Sequence, residues 1–130
     1  MKTIARSLAV LLACCVMLTG SLAAEKESAP KLRHVVCVKF KEGVSKAQTE
    51  RVIKAFAALP GKIPQIKEFE HGANNSPEGL NKGFTHCFTI TFASEKDRDI
   101  YLPHPSHLEF VKIIKPILDE VFVIDYWQGR

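Results

Sequence analysis

Four short runs rich in β-branched and aromatic residues are spread along the chain, and each predicts a β-strand. The predicted strands cover residues 34–40, 65–71, 85–92 and 121–127. A stretch rich in Gly, Asn and Pro, residues 72–83, predicts a loop between the second and third strands.

Two segments between the strands carry apolar residues at helical spacing. The first has Val52, Ile53, Phe56 and Leu59 on one face and ends at Pro60-Gly61. Ser45 and Gln48 before it have the spacing of a capping box, as do Ser106 and Glu109 before the second segment. The second face is predicted to hold Leu108, Val111, Ile114 and Leu118. A polar helical turn over residues 94–101 precedes it.

The order β-α-β-β-α-β is the split βαβ pattern and predicts an α+β fold. Such a fold has one four-stranded antiparallel sheet with its helices on one face. Alternation along two strands assigns their bulky faces to the helices. These faces are His34, Val36, Val38 and Phe40 in the first strand, and His86, Phe88, Ile90 and Phe92 in the third.

The last strand is apolar on both sides over residues 121–124, which is typical of a strand covered on both faces. The opposite face of the first strand carries Val35 and Cys37, so the sheet face without helices is half apolar. We therefore expect a homodimer joined sheet to sheet. The alternative is a monomer whose threonine-rich sheet face is exposed to solvent.

The first 24 residues have the pattern of a secretory signal. Lys2 and Arg6 form a basic start, an apolar run of 11 residues follows from Leu8, and small residues end it at Ala24. The run is short for a membrane span, which needs about 20 apolar residues. We expect a signal peptide over 1–24, a polar leader over 25–31 and one domain over 32–130. The chain would be secreted or periplasmic, with lipoprotein anchoring at Cys14 as the less favoured alternative.

The charge pattern limits the expected classes of binding partner, and the cysteine content limits the expected disulfides. The chain has a net charge of +4, its charges are interspersed, and it has no basic stripe, so nucleic acid is not an expected partner. Cys37 and Cys87 are the two cysteines of the predicted domain. An oxidising compartment permits a disulfide, but two buried apolar thiols are the favoured interpretation.

Candidate chemistry gathers in the segment Tyr-Leu-Pro-His-Pro-Ser-His at residues 101–107. Pro103 and Pro105 fix their own φ angles and discourage helix before them, so the segment is a stiff kink. His34 and His86 each begin the apolar face of a strand, and we expect them to meet Tyr101 and His107 at one end of the sheet. The simpler alternative is that these groups satisfy one another and fill the core.

If this site is catalytic, His107 is the predicted base and Tyr101 the donor. Moving a proton from a free Tyr to a free His would cost ~5 kcal/mol, so a resting phenolate is not expected. Such a pair suits proton abstraction next to a carbonyl. His34, His86 and His104 are the predicted ligand contacts. A metal site built on His104 and His107 is an alternative, but no zinc-ligand spacing accompanies them, so we expect neither a metal nor a cofactor.

The mature chain resembles the stress-responsive A/B barrel domain family. The matching pieces begin at His34, Gly83, Tyr101 and Asp125, and the piece from Tyr101 to His107 is the most specific. The resemblance implies a ferredoxin-like fold and a dimeric α/β barrel. One branch of the family is a plant polyketide cyclase, and its acid/base tyrosine and histidine fall on Tyr101 and His107, with pocket histidines on His34 and His86.

Three functions remain open from the sequence. The first is an exported dimer that binds a small, partly apolar ligand. The second is a cyclase-like lyase or isomerase that uses His107 and Tyr101. The third is an accessory module without chemistry of its own. A cavity beside His107 would favour the first two, and a filled core the third.

Overall fold

The computed structural model describes residues 29–129, which form four strands, three helices and two short 3-10 turns. The strands are β1 (Leu32–Phe40), β2 (Glu68–Ala73), β3 (His86–Phe92) and β4 (Leu118–Trp127), and the helices are α1 (Lys46–Ala57), α2 (Glu95–Tyr101) and α3 (Pro105–Ile114). The 3-10 turns are Leu59–Gly61 and Lys115–Ile117. The predicted signal peptide, Cys14 and most of the predicted leader lie outside the described residues.

The four strands form one antiparallel sheet in the order β2-β3-β1-β4. This topology confirms the predicted α+β, ferredoxin-like β-α-β-β-α-β fold. Strand β1 lies in the middle of the sheet and β4 lies at one edge. Within residues 29–129, no helix is long and apolar enough to cross a membrane.

The predicted strand faces are confirmed by burial. In β1, Leu32, His34, Val36 and Val38 are buried beneath the helices, and the residues between them are partly exposed. Phe88, Ile90 and Phe92 of β3 continue this buried face. Phe56 of α1 fixes the helices to it, because its ring centroid lies 4.5 Å from that of Phe88 and 4.2 Å from that of Phe110 on α3.

Helix α1 begins as predicted. The Ser45 side chain accepts a hydrogen bond from the Gln48 backbone N–H, and the Gln48 side chain accepts one from the Ser45 backbone N–H. These bonds satisfy two of the donors that a helix N-terminus leaves unpaired.

The predicted start of the second long helix was wrong, and its predicted apolar face is confirmed only at Val111 and Ile114. Helix α3 begins at Pro105, and its cap is His104, whose Nδ1 accepts from the Ser106 backbone N–H. Pro105 suits the first helical position because it has no N–H to leave unpaired. The helix buries Phe110 and Ile114, whereas Leu108 is 48% exposed and Leu118 belongs to β4.

Within residues 29–129 of a single chain, strand β4 is only half covered, so the prediction that both its faces are buried does not hold for the single chain. Val121, Phe122, Val123 and Ile124 each remain between 46% and 51% exposed. Val121 and Val123 share the face of His34 and Val38 on β1, and Phe122 and Ile124 lie on the face without helices. The helices therefore leave an opening at the β4 edge, and the other side of the strand is open.

Candidate functional site

A cavity of about 640 Å³ lies between the β1–β4 side of the sheet and helices α2 and α3. The valines of both strands, including Val36, Val38, Val121 and Val123, form much of its lining. Tyr101 and His107 line it from the helices, and His34 and Asp125 from the strands. Since His34 pairs with Asp125 and Val38 with Val121 along the strands, the polar groups lie toward one end and the valines toward the other.

Tyr101, the last residue of α2, is fully buried beside two imidazoles. Its ring centroid lies 4.4 Å from that of His107 and 5.9 Å from that of His34. Its hydroxyl is buried and has no hydrogen-bond partner among the described residues. Burial raises the pKa of the Tyr101 phenol above its ordinary value, so the group stays protonated and remains a donor.

His107 lies in the first turn of α3, and its Nδ1 lies 2.8 Å from the Leu102 carbonyl oxygen. A carbonyl only accepts, so this contact assigns the proton to Nδ1 and leaves the Nε2 lone pair free. Burial lowers the pKa of His107, and although the bond to Leu102 opposes this, His34 and His104 add to the lowering. At neutral pH His107 is therefore an uncharged base.

His34 is held by a chain of charged groups that sequence reasoning missed. Its Nδ1 lies 2.6 Å from Asp125 Oδ1, and Arg98 Nη1 donates to Asp125 Oδ2 at 2.8 Å. The carboxylate accepts from Nδ1–H, which fixes the His34 tautomer and its ring orientation. The available signal was Asp125 itself, a charge on the helix-facing side of an apolar strand.

The predicted convergence of His86 with the other three rings was wrong. His86 pairs with Val38 across the sheet, whereas His34 pairs with Ile90. Because β1 and β3 are antiparallel, residues that begin the two strands lie at opposite ends. The His86 ring packs against Phe40 with centroids 5.5 Å apart, and its Nδ1 lies 2.9 Å from Thr85 Oγ1.

His104 also lies away from the cavity lining, since its Nδ1 caps α3. The predicted ligand contacts therefore divide: His34 joins Tyr101 and His107, while His86 and His104 hold other positions. Among the described residues, no group of three or more His, Cys, Asp or Glu side chains has an arrangement that could hold a metal ion.

The fold and cavity define a ferredoxin-like α+β protein with a tyrosine and two histidines on an apolar hollow. Residues 32–128 match the family model of the Stress responsive A/B Barrel Domain, and the chain belongs to that family. It is similar to the stress-response A/B barrel domain-containing protein HS1 of Arabidopsis thaliana, with 41% identity over 78% of this chain and 93% of that protein.

Two other relatives carry enzyme names. Olivetolic acid cyclase of Cannabis sativa is 27% identical over 73% of this chain and 94% of its own length. The structure of the hydroxynitrile lyase from Passiflora edulis superposes with a TM-score of 0.73 and 28% identity, covering 79% of this chain and 97% of that one. A structure from Thermobifida fusca, described as a dimeric ferredoxin-like protein of unknown function, has a TM-score of 0.65 and 27% identity, covering 77% of this chain and 92% of that one.

Proposed function

We propose that the chain is an exported, homodimeric protein that binds a small, partly apolar compound in the cavity beside Tyr101 and His107. The single observation that carries this proposal is the buried Tyr101 hydroxyl, which has no partner in the described part of the chain and lies on the lining of a mostly apolar hollow. An unpaired buried hydroxyl costs roughly 1–3 kcal/mol, and a ligand oxygen that accepts from it would remove this cost.

The size and lining of the cavity support a ligand with two chemically distinct parts. A volume of about 640 Å³ lies within the range of small-molecule sites. The valines suit an alkyl or aromatic part, and the end with Tyr101, His107 and His34 suits a carbonyl or hydroxyl group. An accessory module without chemistry of its own is expected to have a filled core. The cavity therefore favours the other two functions, ligand binding and a lyase or cyclase reaction.

A pair of leucine variants tests binding. Leu102 lines the cavity and is 42% exposed, while Leu108 is similarly exposed and lies outside the described lining. We expect Leu102→Trp to weaken the binding of partly apolar aldehydes, ketones and phenols about fivefold, because overfilling a packed site costs about 1 kcal/mol. Leu108→Trp should leave affinity unchanged. Calorimetry measures both, and equal affinities in the two variants would contradict this site.

The homodimer is supported by the uncovered side of the sheet. Phe122, Ile124 and Tyr126 of β4 are about half exposed on the face without helices. Contiguous apolar surface of this kind marks an interaction site, and a second copy offers the same surface in return. Solved relatives are described as dimeric. Export is supported by the signal-like pattern of residues 1–24.

A second candidate function is a lyase or cyclase reaction at the same site. The observation that favours it is the uncharged His107, with a free Nε2, whose ring lies 4.4 Å from that of a protonated phenol and is tilted by 37° against it. His107 would take a proton from a hydroxyl or from carbon next to a carbonyl, and Tyr101 would donate a hydrogen bond to the carbonyl oxygen as charge develops there. The relatives named as cyclase and lyase support this chemistry.

The pH dependence of turnover tests that second function. His107 must be neutral to act as a base, and burial lowers its pKa below the ordinary histidine value, so the acid limb of kcat/KM should have its midpoint below about pH 6.5. Tyr101 must be protonated, and its raised pKa predicts no alkaline loss up to about pH 10. His107→Gln, which does not titrate, should lack the acid limb. An acid limb that survives in this variant would assign the base elsewhere.

A further inference from the structure

Cys37 and Cys87 lie directly opposite each other on the neighbouring strands β1 and β3. Both are free thiols, and both are partly buried. The pair lies on the face without helices, in a hollow of about 360 Å³ that Phe84 and Phe122 also line. Neither thiol belongs to the described lining of the larger cavity, so the proposed function makes no use of them.

The backbone at this pair already has the spacing of a disulfide. Residues directly opposite in an antiparallel pair have Cα atoms roughly 4.5–5.5 Å apart, and both values fall inside the range of about 4.4–6.8 Å that disulfides span. The two side chains also leave the sheet on the same side. The bond therefore needs side-chain rotation and little backbone movement.

We propose that Cys37 and Cys87 form a reversible cross-strand disulfide within one chain by exchange with a small-molecule disulfide such as oxidised glutathione. One protein thiolate attacks a glutathione sulfur and releases the first glutathione as a thiolate. The second protein thiolate then attacks the mixed disulfide at the protein sulfur and releases the second glutathione. The protein loses two protons and two electrons, and one glutathione disulfide is reduced to two thiols.

The surroundings of the pair make this exchange slow at neutral pH. Burial, together with the neighbouring Cys87 sulfur, which favours the protonated form of Cys37, raises the pKa of Cys37 to about 11, so little Cys37 thiolate is present to attack. The fraction of Cys37 and Cys87 that is joined in a disulfide should therefore be measured after equilibration. A second copy on this face, as proposed above, would slow exchange further without changing which two sulfurs join.

The test uses the full chain with Cys14→Ser and Cys15→Ser, which leaves two cysteines. The protein is equilibrated with defined ratios of oxidised and reduced glutathione, alkylated and digested with trypsin. We expect the peptides of residues 34–39 and 83–96 to appear joined, with the mass of two hydrogens missing and with the link lost on reduction. Thiols that stay alkylatable at the oxidising limit, lasting glutathione adducts without the link, or a link between two chains would each overturn the proposal.

Thermal unfolding gives a second measurement on the same samples. The bond closes a loop of about 50 residues, so the oxidised chain should melt about 5 °C or more above the reduced chain. The matched control Cys87→Ser, in the same background, should melt at one temperature in both buffers. A linked chain that melts no higher than the reduced chain would contradict the unstrained geometry argued here.

Discussion

Replacing Tyr101 with Phe is expected to stabilise the fold and to impair the function. The free energy of unfolding should rise by about 1 kcal/mol, because the variant removes a buried hydroxyl that has no partner within residues 29–129 and keeps the ring that packs on Phe92 and His34. Affinity for an oxygen-bearing ligand should fall about tenfold, and kcat/KM for any turnover about 100-fold, because the donor to the ligand oxygen is lost.

The matched control for this variant is the other tyrosine of the chain. Tyr126 is half exposed on the open face of β4, so Tyr126→Phe removes a hydroxyl that lies outside the cavity lining and should leave ligand affinity unchanged. Urea denaturation gives the stability of both variants, and calorimetry gives their affinities. A Tyr101→Phe protein that is less stable than wild type would mean that the hydroxyl has a partner and is not reserved for a ligand.

The opposite signs of these two effects follow from the position of Tyr101. A hydroxyl that served only the fold would be paired inside it, and its removal would cost stability. A hydroxyl kept unpaired is a local cost that the rest of the core offsets. The same reasoning applies to His107, where burial disfavours the charged form and leaves an uncharged base next to the phenol.

The sequence was sufficient for the fold because the signals involved are local. Alternation along β1 and β3 assigned the buried faces correctly, and the Ser45 and Gln48 capping box marked the first turn of α1. Each of these patterns is contained within a few residues. The predicted start of α3 was wrong although it also rests on a local pattern. Pro105 takes the first helical position, so the preceding residue, His104, is the cap in place of Ser106.

The candidate site depends on how the strands pair, and the register of that pairing cannot be predicted from a short stretch of sequence. Tyr101 and His107 could be assigned to one cavity because they are six positions apart in the chain. The bond between His34 and Asp125 needs the pairing of β1 with β4, across 91 positions of the chain. The error at His86 has the same origin, because the relative direction of β1 and β3 decides which end of the sheet it occupies.

Strand β4 connects the candidate site with the proposed dimer, because its two faces serve different purposes. Val121, Val123 and Asp125 line the cavity, and Phe122, Ile124 and Tyr126 lie on the other side of the same strand. Anything that fixes β4 from outside would also fix Asp125, and through it the ring of His34. In this arrangement the proposed dimer would hold the polar end of the cavity without contributing a residue to it.

If the proposed dimer forms, Phe122→Asp is expected to convert it into monomers. The substitution would bury a carboxylate in an apolar interface, and in a symmetric dimer it would do so twice. A cost of about 4 kcal/mol or more raises the Kd for dimerisation by roughly 10³-fold. Sedimentation at several protein concentrations measures this, and circular dichroism should report the same secondary structure, since Phe122 is half exposed in the single chain.

The control is Leu108→Asp, which places the same charge at a similarly exposed position on α3, on the helix side of the molecule. This variant should remain dimeric. Dissociation of both variants would point to general destabilisation, and a dimer that persists in Phe122→Asp would place the interface on another surface. Ligand affinity gives a further readout, because loss of the support that a second copy provides to β4 should weaken binding in Phe122→Asp and leave it intact in Leu108→Asp.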